Sequence, residues 1–142
     1  MRVRDAVEAD ADAMAALADQ PADVMRNLVH DRTVRVVVDA PNKDDESEAT
    51  ITETEPSLRA MVSFDAGQET VHVTQLAGDL EAVERLLEEP IRFARSEEMN
   101  VEAIVAVGDE TGKAAVETKG FSRAGDGPRF DGEQTVRYRL ER

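Results

Sequence analysis

The stretch that decides the fold runs from Thr70 to Phe121. It opens Thr70-Val71-His72-Val73-Thr74-Gln75-Leu76-Ala77-Gly78-Asp79-Leu80, passes through Val101-Glu102-Ala103-Ile104-Val105-Ala106-Val107, and closes on Lys119-Gly120-Phe121. It reads as strand, turn, helix, strand and helix. Val71 and Val73 share a face, but the next strongly apolar residue is Leu76. The alternation therefore slips by one near Gln75, which predicts a β-bulge. The helix from Leu80 carries Val83, Leu87, Ile91 and Ala94 on one stripe, with Leu86 beside it. Pro90 lies inside that pattern and predicts a kink or a split. Val101 to Val107 is apolar enough for a central strand. Asp109 to Lys119 is a short helix closed by Gly120 as a left-handed cap, with Phe121 entering the core.

Outward from this stretch the pattern continues. Val3 to Val7 is a short strand, and Asp10 is placed to cap a helix whose Ala11, Met14, Ala15, Leu17 and Ala18 fall on one face. Pro21 breaks it, and Ala22 to His30 restarts helical spacing with Val24, Met25, Leu28 and Val29. Thr33 to Val38 is β-branched and reads as a strand. Residues 41–56 turn to Asp, Glu, Ser and Thr, which predicts an acidic mobile loop with a trace of strand near Ala49 to Thr54. Leu58 to Phe64 and Thr70 to Leu76 form a hairpin around Asp65-Ala66-Gly67-Gln68. The tail returns as strands near Phe121 to Arg123 and Thr135 to Leu140, joined by Gly125-Asp126-Gly127-Pro128. Its 142 residues suit one domain, 1–142, with a substantial core.

Charge narrows the partners. Asp and Glu number 31 against 17 Lys and Arg, a formal net charge of -14. Nucleic acid and anionic membrane are poor partners for such a surface. Only Lys43, Lys113 and Lys119 are lysines, so Arg supplies most of the positive charge. The combination points to a halophile's salt-rich cytosol, where self-repulsion is screened within about 3 Å at ~1 M salt. The alternative is an ordinary acidic protein with a basic partner. With no Cys there is no disulfide or thiolate nucleophile, and the two His are too isolated for a metal site. No segment approaches ~20 apolar residues, so a soluble, cytoplasmic protein is expected.

The order of elements and several phrases resemble the Gcn5-related N-acetyltransferase (GNAT) superfamily across nearly the whole chain. Arg2-Val3-Arg4-Asp5-Ala6 with Asp10-Ala11 looks like its opening strand and helix, and Arg59 to Asp65 like its third strand. Asp109 through Lys119-Gly120-Phe121 is similar to its fourth helix with the Gly-Phe ending. The resemblance implies an α+β fold, a mixed central sheet of about six to seven strands flanked by four helices. It implies acyl transfer from acetyl-CoA to an amine of a small molecule or peptide, in a protein that could form a homo-oligomer. It also places the cofactor in a cleft opened by a bulge in the fourth strand. There a loop of pattern (Gln or Arg)-x-x-Gly-x-(Gly or Ala) at a helix N-terminus holds the pyrophosphate through backbone amides and the helix dipole.

By that resemblance the cofactor-binding residues are Gln75, Leu76, Ala77, Gly78, Asp79 and Leu80. The match departs from the family in two places. Leu80 stands where the pattern has a small residue, and the loop arrives while Gln75 still belongs to the strand, so it reads as deleted. Asp79 then falls at the N-cap, where its carboxylate claims the amides a pyrophosphate needs. In the fourth helix, Val116 stands where many members carry a proton-donating Tyr, and Asp109 replaces an Asn, which leaves the catalytic residues unassigned. Tyr138 reads as a packing residue with a wet hydroxyl, His72 as either a base facing the cleft or a surface residue, and His30 as a partner for helix-end carbonyls. Arg85, Arg123 and Arg129 are the cations expected near any cofactor site. The competing readings are an N-acetyltransferase, a catalytically inactive GNAT-fold interaction or regulatory module, and an acidic domain that recognises a basic protein.

Overall fold

A computed structural model describes residues 2–38, 58–129 and 132–141. The strands are β1 (Arg2–Asp5), β2 (Thr33–Val38), β3 (Leu58–Ala66), β4 (Thr70–Gly78), β5 (Asn100–Ala106), β6 (Ser122–Asp126) and β7 (Thr135–Leu140). The helices are α1 (Ala11–Ala18), α2 (Ala22–Asp31), α3 (Leu80–Ser96) and α4 (Glu110–Thr118). All seven strands join one sheet in the order β1-β2-β3-β4-β5-β7-β6. Every neighbouring pair is antiparallel except β4 and β5. A parallel pair needs a crossover, and α3 supplies it. The expected α+β architecture with its mixed sheet and four helices is therefore present. The acidic 41–56 segment lies outside the described residues.

Strand alternation divides the core into two layers. On one face Val62, Val71, Val73 and Val101 meet Leu86, Leu87 and Ala94 of α3 and Val116 of α4. On the other, Val34, Val36 and Met61 meet Met14 of α1 and Met25 of α2. With so few aromatic residues, Val, Leu, Ala and Met fill both layers, each fully buried Leu contributing about 1.5 to 3 kcal/mol.

The strand boundaries expected from periodicity hold to within a few residues. Two local details differ: of the kink or split expected at Pro90 the split is absent, and Asp10 does not cap α1. α3 passes through Pro90 as one helix from Leu80 to Ser96, with Pro90 itself buried. Its apolar face is buried on both sides of the proline, at Leu86, Leu87, Ile91 and Ala94, and that packing holds the helix together across the missing N–H. Asp10 occupies the residue before α1, but its side chain accepts no helix amide. Its carboxylate instead accepts from the Val7 amide at 2.8 Å and from Nη1 and Nη2 of Arg4 at 2.8 and 3.0 Å. Burial pushes the Asp10 carboxyl up, but Arg4 and the Val7 amide outweigh it and hold the group below its ordinary value. The pair thus ties β1 to the turn that starts α1.

Candidate functional site

The bulge predicted from the slipped alternation is present. Ser63 pairs with Gln75 and Phe64 with Val73, so Thr74 is the extra residue. The Thr74 and Ser63 hydroxyls lie 2.5 Å apart, and Ser63 is fully buried. Past this point the side chains change layers. Gln75 reaches the Gln20 amide at 3.5 Å near the end of α1, Ala77 joins the α1 and α2 layer, and Leu76 joins the α3 and α4 layer.

The same point ends the pairing of β4 with β5. Four register pairs, Thr70 with Asn100 to Val73 with Ala103, connect the two strands. β4 then follows β3 to Gly78, and β5 follows β7 to Ala106. The strands diverge into a cleft of ≈ 730 Å³, a size suited to a ligand. Thr74 to Gly78 form one wall and Ile104 to Ala106 the other; Asp19, Gln20, Asp109 and Glu133 line its ends. Leu76 leans against the first turn of α4, where a Cβ added to Gly112 would lie 3.0 Å from its Cδ1.

Solved structures share this overall fold. Ard1 from Thermoplasma volcanium matches with a TM-score of 0.71 at 11% identity, over 99% of this chain and 97% of that one. An acetyltransferase of the GNAT family from Bacillus cereus ATCC 10987 matches at 0.65 and 12% identity, over 99% and 96%. The fold is the GNAT fold. Ribosomal-protein-alanine N-acetyltransferase from Brucella melitensis is also similar, at a TM-score of 0.66 and 15% identity over 100% of both chains. No protein-family profile matches the chain, and no curated protein matches its sequence. The likeness is one of fold, and the chemistry must be read from the side chains of the GNAT-fold cleft itself.

At the start of α3 those side chains form a closed clamp. The helix begins at Leu80, one residue after β4 ends at Gly78. Asp79 is its N-cap, and Oδ1 accepts from the Ala82 amide at 3.0 Å. Arg59 donates to both Asp79 carboxylate oxygens, at 3.0 and 3.1 Å, and to Glu81 at 3.2 Å. The Arg59 hydrogen bonds lead the causes that hold the Asp79 carboxyl below its ordinary value, with the Ala82 amide adding to them. Gly78 has φ +131, and a Cβ there would overlap the Arg59 carbonyl oxygen and the Cα of Ala60. This glycine serves the close approach of β3 to β4.

The α3 end of the cleft does not fit a CoA pyrophosphate. Asp79 holds one of the amides such a group would need and adds a negative charge beside the others. The second helix end on the cleft is closed in the same way, since Asp109 caps α4 and accepts from the Gly112 amide at 2.9 Å. Among the described residues no Lys or Arg lines the cleft, whereas Asp19, Asp109 and Glu133 do. The three cations expected beside a cofactor are elsewhere. Arg85 pairs with Glu88 and Glu89 along α3, Arg123 with Asp126, and Arg129 donates to the Gly132 carbonyl. Sequence position identified them as cations but not the face each would occupy.

The proton-transfer candidates also resolve. Val116 is fully buried on the inner face of α4. Tyr138 is buried, and its hydroxyl donates to Glu117 at 3.0 Å, so it is not wet. Burial first, and the Glu117 carboxylate second, raise its phenol above the ordinary value. His72 is half exposed, 4.0 Å from Glu102, in the paired part of β4 below the cleft. His30 meets the Glu8 carboxylate at 2.9 Å, not helix-end carbonyls. Among the described residues no group of three or more His, Asp or Glu could hold a metal ion, and no helix is long and apolar enough to cross a membrane.

Proposed function

We propose that this chain is a GNAT-fold domain that uses its β4–β5 cleft for binding, as an interaction or regulatory module, and does not transfer acyl groups from acetyl-CoA. The observation that carries this reading is the Asp79 clamp: the helix starts directly after the strand, and the amide site is filled by the chain's own carboxylate. The acidic lining supports it, because CoA is a polyanion and Asp19, Asp109 and Glu133 would repel it. We place the protein in a salt-rich cytoplasm on the strength of its charge, and concentrated KCl is the medium for the cofactor titration below.

A second reading keeps catalysis. The bulge at Thr74 and the divergence of β4 from β5 survive intact, and in the superfamily they hold the cofactor whose acetyl group goes to an amine. Gln75, Leu76, Ala77 and Gly78 would then line the cofactor's path, with Asp79 and Leu80 at its phosphate end. One titration separates the two. Acetyl-CoA is added to millimolar concentration in concentrated KCl while the amide resonances of residues 75–83 are followed. Unmoved amides are expected. Saturable shifts across that segment would reverse the choice and restore the acyltransferase.

A further inference from the structure

The cleft has a second property besides its size. On the flank facing the gap, residues 74–78 of β4 and 104–106 of β5 have no register partner, while on their other flanks they pair with β3 and β7. A strand edge of this kind offers a row of N–H and C=O groups to which an extended chain can add. Here two such edges, running in parallel, face each other across the same space.

The charge around that space selects the chain that would enter. Asp19 follows the last turn of α1, Asp109 caps α4, and the Glu133 carboxylate reaches over Gly108, where an added Cβ would lie 3.3 Å from it. Acidic side chains thus stand at several points around the cleft, and among the described residues no Lys or Arg lines it. We propose that the cleft takes an extended, positively charged polypeptide segment, inserted as a strand between β4 and β5. The proposal rests on the reading that acyl-CoA does not occupy the cleft. Main-chain hydrogen bonds to both edges supply the docking geometry, and the acidic rim selects Arg- and Lys-bearing segments over acidic ones. Asp19 and Glu133 are exposed, so concentrated salt weakens this selection while the main-chain hydrogen bonds remain.

The probe is an N-acetylated, C-amidated peptide of about six residues, the usual strand length, built from Arg and Val. It has no amine, so its binding cannot be that of an acyl acceptor. Titrated into the intact protein at moderate KCl, it should shift the amides of 74–78 and 104–106 together and saturably. The double variant Asp19→Asn, Glu133→Gln should weaken it by about fivefold, since each pair is partly exposed. Both positions are exposed, and Asn tolerates the positive φ of 55 that residue 19 adopts, so the variant should fold. A Glu and Val peptide of equal length should not bind. Absence of saturable shifts, shifts confined to other surfaces, or equal binding of the acidic peptide would overturn the proposal. Acetyl-CoA titrated into the same sample keeps the two ideas apart. If neither ligand binds, the inserted strand is lost and the non-catalytic reading stands; if acetyl-CoA shifts residues 75–83, both fall.

Discussion

Replacing Asp79 by Ala removes two interactions of different kinds at the start of α3, and their sizes can be worked separately. The N-cap hydrogen bond to the Ala82 amide, 3.0 Å long, is worth about 1 kcal/mol, within a range of about 0.5 to 2. The ion pair with Arg59 has good two-pronged geometry, but the Asp79 side chain is 45% exposed and that of Arg59 26%, so solvent limits it to about 0.2 to 1 kcal/mol. Asp79→Ala should therefore lower stability by about 1.5 kcal/mol, and Asp79→Asn, which keeps the acceptor and loses the charge, by about 0.5. At about 2 to 8 °C per kcal/mol for domains of this size range, the two variants should separate clearly in melting temperature. Urea unfolding followed by far-ultraviolet circular dichroism in constant high KCl measures both without changing the ionic strength. Were Asp79→Asn to cost as much as Asp79→Ala, the carboxylate would be acting through charge and the capping argument would be wrong. An Asp79→Ala variant as stable as the parent would mean that solvent satisfies the Ala82 amide equally well, and the clamp would lose its structural rationale.

Two further outcomes follow from the same geometry. Gly78 and Gly125 have nearly the same positive φ, +131 and +132, but a Cβ at 78 overlaps the β3 backbone while one at 125 meets nothing within 4 Å. Thermal melts should therefore show Gly125→Ala losing about 1 kcal/mol and Gly78→Ala about 3 or more, and equal losses would refute the close approach of β3 and β4. The pH profile has two limbs of opposite sign. Asp79, Asp10 and Glu88 have lowered folded values, so their contribution is present above about pH 4 and is lost as the pH falls through those values. Tyr138 has a raised value, so its contribution is present below about pH 10 and is lost as the pH rises through the folded value. Acid unfolding of Asp79→Asn should show a shallower low-pH limb than the parent, and Tyr138→Phe a shallower alkaline one.

Much of the scaffold was legible along the chain because it rests on local periodicity. The slip between Val73 and Leu76 located the bulge to within one residue, and Gly78-Asp79-Leu80 showed a strand running straight into a capped helix. The cleft was expected from the family resemblance and not from any local pattern. It exists because β4 and β5 part after Ala103, a property of how two distant strands follow different neighbours. Its rim comes from the end of α1, the cap of α4 and the segment before β7, and no local pattern joins Asp19, Asp109 and Glu133. Arg85, Arg123 and Arg129 were misjudged because nearness in sequence to the cofactor segment says nothing of direction; each found a carboxylate or a carbonyl on its own element or turn. The split considered at Pro90 is absent because packing on both sides of the proline opposes its penalty. The proposed ligand class depends on these long-range features.

Thr74 acts by a count more than by its chemistry. A strand distributes its side chains between two layers by odd and even position, and one additional residue exchanges the assignments of everything after it. Gln75 and Ala77 belong to the α1 and α2 layer, and Leu76 to the other. Removing that one residue would close the bulge and leave Gln75 opposite Ser63 and Leu76 opposite Val62, each in the layer it occupies now. The bulge thus absorbs a surplus residue, so that a strand whose sequence is out of phase still turns Leu76 to the core opposite Val62.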